Sequence, residues 1–194
     1  IKAVLAQVPS LDPAEIGDVV GGCALPEAEQ GLNVTRLGAI LAGLPKSVPG
    51  VQVNRFCSSG LQAVAMAADR IRTGDEDVMI GCGTESMSMI TMLGNKIVLN
   101  PKFYEDPANL GLAMGMGLTA EKVADQWKIN REDQDAFALE SHRRAMAGIQ
   151  SGAFAAETAT YTVTSRTPDY ATTQVKETER VVKDDEGARG DLNL

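Results

Sequence analysis

Short apolar runs alternate with segments of helical periodicity along the first part of the chain. The runs 18–25, 51–56 and 77–83 are compact and apolar, and they predict three β-strands. Between them, residues 33–43 and 57–72 repeat apolar side chains every three or four positions, which predicts two helices. The order strand, helix, strand, helix, strand predicts an α/β layer with right-handed crossovers.

Residues 57–72 are apolar on most sides of the predicted helix. One stripe and part of the opposite side carry apolar residues: Leu61, Ala63, Val64, Ala65, Met66, Ala67, Ala68 and Ile71. A helix that is apolar nearly all round is typical of the interior of a fold. We therefore expect this helix to be buried.

The character of the sequence changes after about residue 92. Residues 93–118 are rich in glycine, asparagine, proline and methionine and show no clear period. Thr119 is predicted to cap one helix and Asn130 a longer one. Residues 158–164 alternate as in a strand. The sequence therefore predicts a second domain with helices and some strand.

We divide the chain into two domains, 1–92 and 93–194. Residues 1–7 have the pattern of a helix already in progress, and residues 191–194 end without a recognisable cap. We therefore expect a piece of a longer polypeptide. In isolation it is expected to aggregate or to expose a large apolar patch.

Composition narrows the classes of function. The 194 residues are 44% hydrophobic, enough for one sizeable core or two small ones. The net charge of −8 repels phosphate backbones, so we expect no nucleic-acid partner. We see no signal peptide and no apolar run near the ~20 residues of a membrane span, so we expect no membrane partner.

The chain has three cysteines, Cys23, Cys57 and Cys82, with no CxxC spacing. Their odd number and spacing disfavour a metal site or a disulfide framework. A reducing compartment fits best, and we expect a cytoplasmic protein. Cys23 and Cys82 lie in glycine-flanked apolar runs, where a small core residue is the simpler interpretation.

Cys57 is the candidate nucleophile. It lies where a predicted strand turns into a helix, so unpaired N–H groups and the positive end of the helix dipole converge on it and favour the reactive thiolate. Its own N–H could hold a developing oxyanion, and Gly60 would let the helix pack closely. The alternative is a buried cysteine at a helix start, since free cysteine is among the most buried residue types.

The segment 54–63, Asn-Arg-Phe-Cys-Ser-Ser-Gly-Leu-Gln-Ala, resembles the nucleophile motif of the thiolases, the acyl-CoA acetyltransferases. Residues 81–88 resemble the family's Gly-Gly-x-Glu-x-Met-Ser motif, with a cysteine in place of one glycine. Residues 116–124 and 131–138 resemble helices of the thiolase loop domain. Residues 185–189 resemble the stretch before the family's second half. The resemblance covers nearly the whole chain.

The resemblance implies a layered α/β fold with a mixed sheet and a buried helix, without its first strand, followed by a truncated α+β loop domain. It implies that Cys57 takes the acyl group from acyl-CoA, that Met116 lines the acyl pocket and that Arg189 lies near the nucleotide end of coenzyme A. Coenzyme A would be substrate or product, and no other cofactor is implied. The family forms dimers or tetramers, so a homo-oligomer is expected.

Two departures from the family leave alternatives open. Gly115 stands where many thiolases have a histidine, and the family's Gly-His-Pro and Cys-x-Gly motifs do not occur in these residues. His142, the one histidine, is interpreted as a packed or rim residue and not as the base for Cys57. A coenzyme A or lipid-binding module without catalysis, or a ketoacyl synthase-like condensing enzyme, would also fit.

Overall fold

The computed structural model describes residues 1–92 and 94–192. The chain forms two compact units, residues 1–100 and 101–194, each with its own sheet.

A parallel sheet organises the first unit. Its central strand β1 (Asp18–Gly22) lies between β2 (Gly50–Val53) and β3 (Met79–Gly83). The helix α2 (Val34–Leu41) connects β1 to β2, and α3 (Ser59–Arg72) connects β2 to β3. Both strand pairs are parallel, as strand-helix-strand crossovers require. The predicted α/β layer is confirmed. Each strand is shorter than its apolar run, and all the described strands of this sheet are parallel, whereas the resemblance implied a mixed sheet.

Short helical segments complete the first unit. They are α1 (Lys2–Leu5) and the 3-10 turns Pro13–Glu15 and Ala28–Gln30. Asp12 caps the first of these turns, because its Oδ1 accepts a hydrogen bond from the Ala14 amide at 2.9 Å. An aspartate followed by proline at the first helical position is a sequence signature of such a start.

The two faces of β1 bury different helices. Val19 packs in a core cluster on the α2 side of the sheet, whose buried members are Ile16, Val19, Ala39, Leu44 and Val48. Val20 and Gly22 point to the opposite face, because successive residues of a strand alternate between faces. Gly22 lies against the start of α3. The central strand is therefore buried on both sides, as is typical of parallel sheets.

Glycines on the strands bring α3 unusually close to the sheet. A Cβ on Gly22 would lie 2.6 Å from the Ser59 carbonyl oxygen, and one on Gly81 would lie 3.0 Å from the Val64 Cα. A Cβ on Gly60 would meet nothing within 4 Å, so the strand glycines, and not Gly60, allow the close approach.

Among the described residues of the first unit, α3 has one buried face. Ser59, Ala63 and Ala67 are covered by the sheet. On another side of the helix Leu61 is 75% exposed, and Val64, next to Gly81 at the margin of the buried face, is 53% exposed. The sequence predicted burial on nearly all sides, but the strands of this unit cover a single side of the helix.

The second unit contains two helices and a hairpin among its described residues. They are α4 (Met116–Trp127), α5 (Arg131–Gln150), β4 (Tyr161–Asp169) and β5 (Gln174–Val182), preceded by the 3-10 segments Pro101–Tyr104 and Pro107–Ala113. The two strands pair antiparallel along all nine residues of each. The expected boundary between residues 92 and 93 stays a prediction, and residue 93 lies outside the described residues.

The predicted helix caps of this unit have different outcomes. Asn130 caps α5 as expected, since its Oδ1 accepts from the Asp133 amide at 2.7 Å. Thr119 was expected to cap α4, and this prediction is wrong. The helix starts at Met116, and the Thr119 hydroxyl donates back to the Gly115 carbonyl, as hydroxyls inside helices do.

Replacing Gly22 with alanine is expected to destabilise the protein by more than about 2 kcal/mol, because the new methyl group meets helix backbone that cannot move aside. Gly38→Ala in α2 is the matched control, since a Cβ there meets nothing within 4 Å. It is expected to stabilise the protein by about 0.5–1 kcal/mol. Urea unfolding of both variants checks this, and equal effects would contradict it.

Candidate active site

Cys57 lies beyond the carboxyl end of β2, at the edge of the sheet where β1 and β3 also end. In open parallel sheets this edge is the usual place for ligand sites. Cys57 is exposed, Cys82 is partly buried and Cys23 is buried. The alternative interpretation of Cys57 as a buried cysteine at a helix start is therefore wrong within this chain.

The turn that carries Cys57 has a strained residue in front of it. Phe56 has φ +47°, the left-handed region that non-glycine residues rarely adopt. Its amide donates to Asn54 Oδ1 at 2.9 Å, and the Ser58 amide donates to the Arg55 carbonyl at 3.1 Å. Such strain persists only where surrounding contacts impose it, and it concentrates at functional sites.

The Ser59 hydroxyl closes the turn from the helix side. It accepts from the Arg55 amide at 2.8 Å and donates to the Phe56 carbonyl at 2.6 Å. Ser59 is only 4% exposed while both of its partners belong to exposed residues, so these bonds are partly shielded from water. Sequence reasoning gave this serine no role, because its hydroxyl bonds the turn upstream of α3 and not the amides inside the helix that a capping side chain bonds.

A polar network occupies the same edge of the sheet. Glu85 Oε2 accepts from the Ala24 amide at 2.6 Å, and Glu85 Oε1 accepts from Gln30 Nε2 at 2.7 Å. Gln30 is 5% exposed; its Nε2 also donates to the Leu25 carbonyl, and its Oε1 accepts from the Ser86 amide. Through these contacts Glu85 and Gln30 anchor the segment that follows β3.

The other two cysteines have the character of core residues. Burial raises the pKa of the Cys23 thiol, whose Sγ lies 3.8 Å from Glu85 Oε1. Burial also raises the pKa of the Cys82 thiol. Both groups are therefore held further toward the neutral thiol, the form that does not attack carbonyl carbon.

Met116 begins α4 in the second unit and is 72% exposed. It lines a cavity of about 390 Å³ whose walls are largely apolar. Val123 and Ile129 contribute to the same wall. An open apolar groove of this kind can accept part of an acyl chain.

Arg189 is held by three hydrogen bonds to two residues of the second unit. Its Nε and Nη2 donate to the Asp191 carboxylate at 3.1 and 2.8 Å, and its backbone amide donates to His142 Nδ1 at 3.0 Å. The hydrogen bond to Asp191 raises the pKa of Arg189, and the same pairing lowers the pKa of Asp191. His142 therefore ties α5 to the segment carrying Arg189, in agreement with its interpretation as a packed or rim residue.

Cys57 lies in the unit 1–100, and Met116 and Arg189 lie in the unit 101–194. Their predicted roles in one site stay predictions. In residues 1–92 and 94–192, no three side chains of the metal-binding types are grouped to hold an ion. No helix in these ranges combines the length and apolar character needed to cross a membrane.

The Ser59→Ala variant is expected to lose about 1–3 kcal/mol of unfolding free energy, because the Arg55 amide loses its acceptor and the Phe56 carbonyl its donor at a partly buried turn. The adjacent Ser58→Ala is the matched control. Ser58 makes no side-chain capping bond, so its loss is expected to stay within about 0.5 kcal/mol. Denaturant unfolding measures both, and a larger effect for Ser58→Ala would refute the assignment.

Iodoacetamide at neutral pH is expected to alkylate Cys57 at least about tenfold faster than Cys23, since the latter is buried and its thiol pKa is raised. Cys82 is expected to be alkylated more slowly than Cys57, because it is partly buried and burial raises the pKa of its thiol. Peptide mapping over a time course gives the three rates, and a denatured sample controls for peptide recovery. Alkylation of Cys82 before Cys57 would be the contrary result.

Comparison with known proteins gives the chain its family. The family model of the thiolase N-terminal domain matches residues 1–191. The 3-ketoacyl-CoA thiolase of Bacillus subtilis (strain 168) is 49% identical over 146 residues, 72% of this chain and 35% of that protein. The peroxisomal 3-ketoacyl-CoA thiolase 5 of Arabidopsis thaliana is 45% identical over 153 residues, 78% of this chain and 33% of that protein.

A solved structure agrees with these relatives. The crystal structure of the Bacillus anthracis acetyl-CoA acetyltransferase matches with a TM-score of 0.76 at 29% identity, over 100% of this chain and 48% of that chain. The present chain spans about a third of the length of the two thiolases. The domain model, the sequence relatives and the shared fold together establish that this chain belongs to the thiolase family.

Proposed function

We propose that this chain supplies the acyl-accepting nucleophile of a thiolase, an acyltransferase that acts on acyl-CoA. Cys57 is the nucleophile. The observation that carries the proposal is its exposed thiol on a fixed turn between β2 and α3, at the carboxyl edge of a parallel sheet. The other two cysteines lack that combination of exposure and placement.

The first step is an acyl transfer between sulfur atoms. Cys57 Sγ attacks the thioester carbonyl carbon, a new carbon–sulfur bond forms, and the bond to the sulfur of coenzyme A breaks. Coenzyme A leaves with the electron pair and takes up the proton that the Cys57 thiol has lost. In the synthetic direction the acyl group then passes to the α-carbon of a second acyl-CoA, where a carbon–carbon bond forms and the proton of that carbon is lost. In the degradative direction Cys57 Sγ instead attacks the 3-keto carbon of a 3-ketoacyl-CoA, the bond from this carbon to the α-carbon breaks, and the α-carbon takes up a proton as acetyl-CoA leaves; the remaining acyl group then passes to coenzyme A. Both directions use an acyl-enzyme and give ping-pong kinetics.

The carbonyl oxygen of the thioester becomes an oxyanion during this attack and needs a hydrogen-bond donor. The amides on either side of Cys57 already donate to acceptors inside the turn: Arg55, Phe56, Ser58 and Ser59. We assign the oxyanion to the amide of Cys57 itself, the donor nearest to the attacking sulfur along the chain. This amide and the sulfur belong to one residue, so the donor and the nucleophile are fixed relative to each other.

Met116 and Arg189 are proposed to bind the two ends of acyl-CoA. Met116 stands at an apolar groove, which suits the acyl chain. Arg189 carries a guanidinium, which suits phosphate or adenine. Since that guanidinium is paired with Asp191, an incoming phosphate must compete with this carboxylate.

The base for Cys57 and the proton shuttle for the condensing carbanion are assigned to groups outside these residues. The family's Gly-His-Pro and Cys-x-Gly motifs are absent from the 194 residues, and His142 is engaged with the Arg189 amide. A cytoplasmic location and a homo-oligomer stay predictions, as does the choice between synthesis and thiolysis.

Incubating the full-length polypeptide with acetyl-CoA is expected to add one acetyl group to Cys57, because its thiol is exposed at the proposed site. Mass spectrometry of peptides locates the adduct. Cys57→Ala should abolish it, while the matched Cys82→Ala should retain it.

An adduct on Cys23 or Cys82 would refute the assignment of the nucleophile. Tight binding of coenzyme A without any acyl adduct would favour the alternative of a binding module without catalysis. A protein that accepts acyl groups only from a carrier protein would favour the ketoacyl synthase-like alternative.

A further inference from the structure

Asn54 joins two separate backbone segments at the carboxyl edge of the sheet. Its Oδ1 accepts from the Phe56 amide at 2.9 Å, and its Nδ2 donates to the Ala24 carbonyl at 3.0 Å. Phe56 is the strained residue that precedes Cys57. The amide group of Asn54 therefore ties the turn of the nucleophile to the chain that leaves β1.

The segment on the other side of this link is itself held. The Ala24 amide donates to Glu85 Oε2 at 2.6 Å, and Gln30 Nε2 donates to Glu85 Oε1 at 2.7 Å. Gln30 is buried, so this end of the network is fixed in the body of the unit. The contacts form a continuous series from Gln30 through Glu85, Ala24 and Asn54 to Phe56.

We propose that Asn54 and Glu85 are positioning residues for Cys57, an inference that rests on the proposed function. Neither residue needs to touch the substrate. They act through the Phe56 amide, whose hydrogen bond to Asn54 supports the left-handed backbone that presents the sulfur. A displacement of about 1 Å at a reacting atom can reduce a rate on the order of 100-fold, so such support matters for acyl transfer.

Charge alone does not account for Glu85 at this edge. A carboxylate repels an anionic sulfur, so removing its charge would speed acyl transfer if electrostatics were its main effect. If Glu85 acts by positioning, Glu85→Gln slows acyl transfer instead. Glutamine offers one acceptor oxygen where Glu85 uses two, so the Ala24 amide and the Gln30 side chain cannot both be satisfied.

The test uses the full-length polypeptide with Glu85→Gln and Asn54→Leu, and Asn33→Leu as a matched control. Asn33 makes the same pair of contacts at the opposite end of β2. Its Oδ1 accepts from the Arg36 amide at 3.0 Å, and its Nδ2 donates to the Gly50 carbonyl at 2.7 Å. Acyl transfer to Cys57, KM for acetyl-CoA and the urea midpoint are measured for each protein.

We expect Glu85→Gln and Asn54→Leu to slow acyl transfer at least about tenfold, with KM changed by less than about twofold, since positioning acts on the reacting geometry. Asn33→Leu is expected to lower the urea midpoint while leaving the transfer rate unchanged. A faster Glu85→Gln, or equal rate losses in the Asn33 and Asn54 variants, would overturn the inference.

Hydrogen exchange separates this inference from the proposed function. In Glu85→Gln the Phe56 amide keeps its own partner, Asn54, yet we expect it to exchange roughly fivefold faster because the support beyond Asn54 is weakened. Mass spectrometry of the peptide 52–58 reports it. Unchanged exchange would overturn the inference even if Cys57 is acylated. A wild-type protein that is never acylated at Cys57 would refute the proposed function. The exchange rate of the Phe56 amide would still show whether Glu85 supports the turn through Asn54.

Discussion

The close packing of α3 on β1 is the constraint on which the candidate site depends. Gly22 has no side chain, so the backbone of Ser59 can lie directly against the strand. Ser59 then reaches back with its hydroxyl to the Arg55 amide and the Phe56 carbonyl. A tightly packed helix start thus fixes the turn before it, and the turn fixes Cys57.

Two separate sets of hydrogen bonds support the turn that carries Cys57. Ser59 holds it from the helix, and Asn54 holds it from the chain leaving β1 through Glu85. A left-handed Phe56 costs of order 1–3 kcal/mol and needs such support. Hydrogen bonds from the neighbouring residues therefore offset the cost of this backbone conformation, while Cys57 stays exposed.

Apolar side chains on α3 add a second constraint. The strands of the first unit bury its Ala63 and Ala67 side, while Leu61 remains exposed on another side and Val64 remains half-exposed beside Gly81. These exposed apolar residues are among those from which the sequence predicted a buried helix. Composition records how apolar a helix is, whereas burial depends on what is packed around it, which a single chain's pattern does not specify.

The sequence by itself determined the order of strands and helices, the cap of α5 at Asn130 and the place of Cys57 between strand and helix, because apolar period and capping residues are local signals. It misplaced the start of α4, since Thr119 bonds within the helix instead of capping it. Only the tertiary structure joined Gln30, Glu85 and Asn54 to the nucleophile's turn. Those contacts span up to 61 positions of sequence and form only where parallel strands bring their carboxyl ends to one edge.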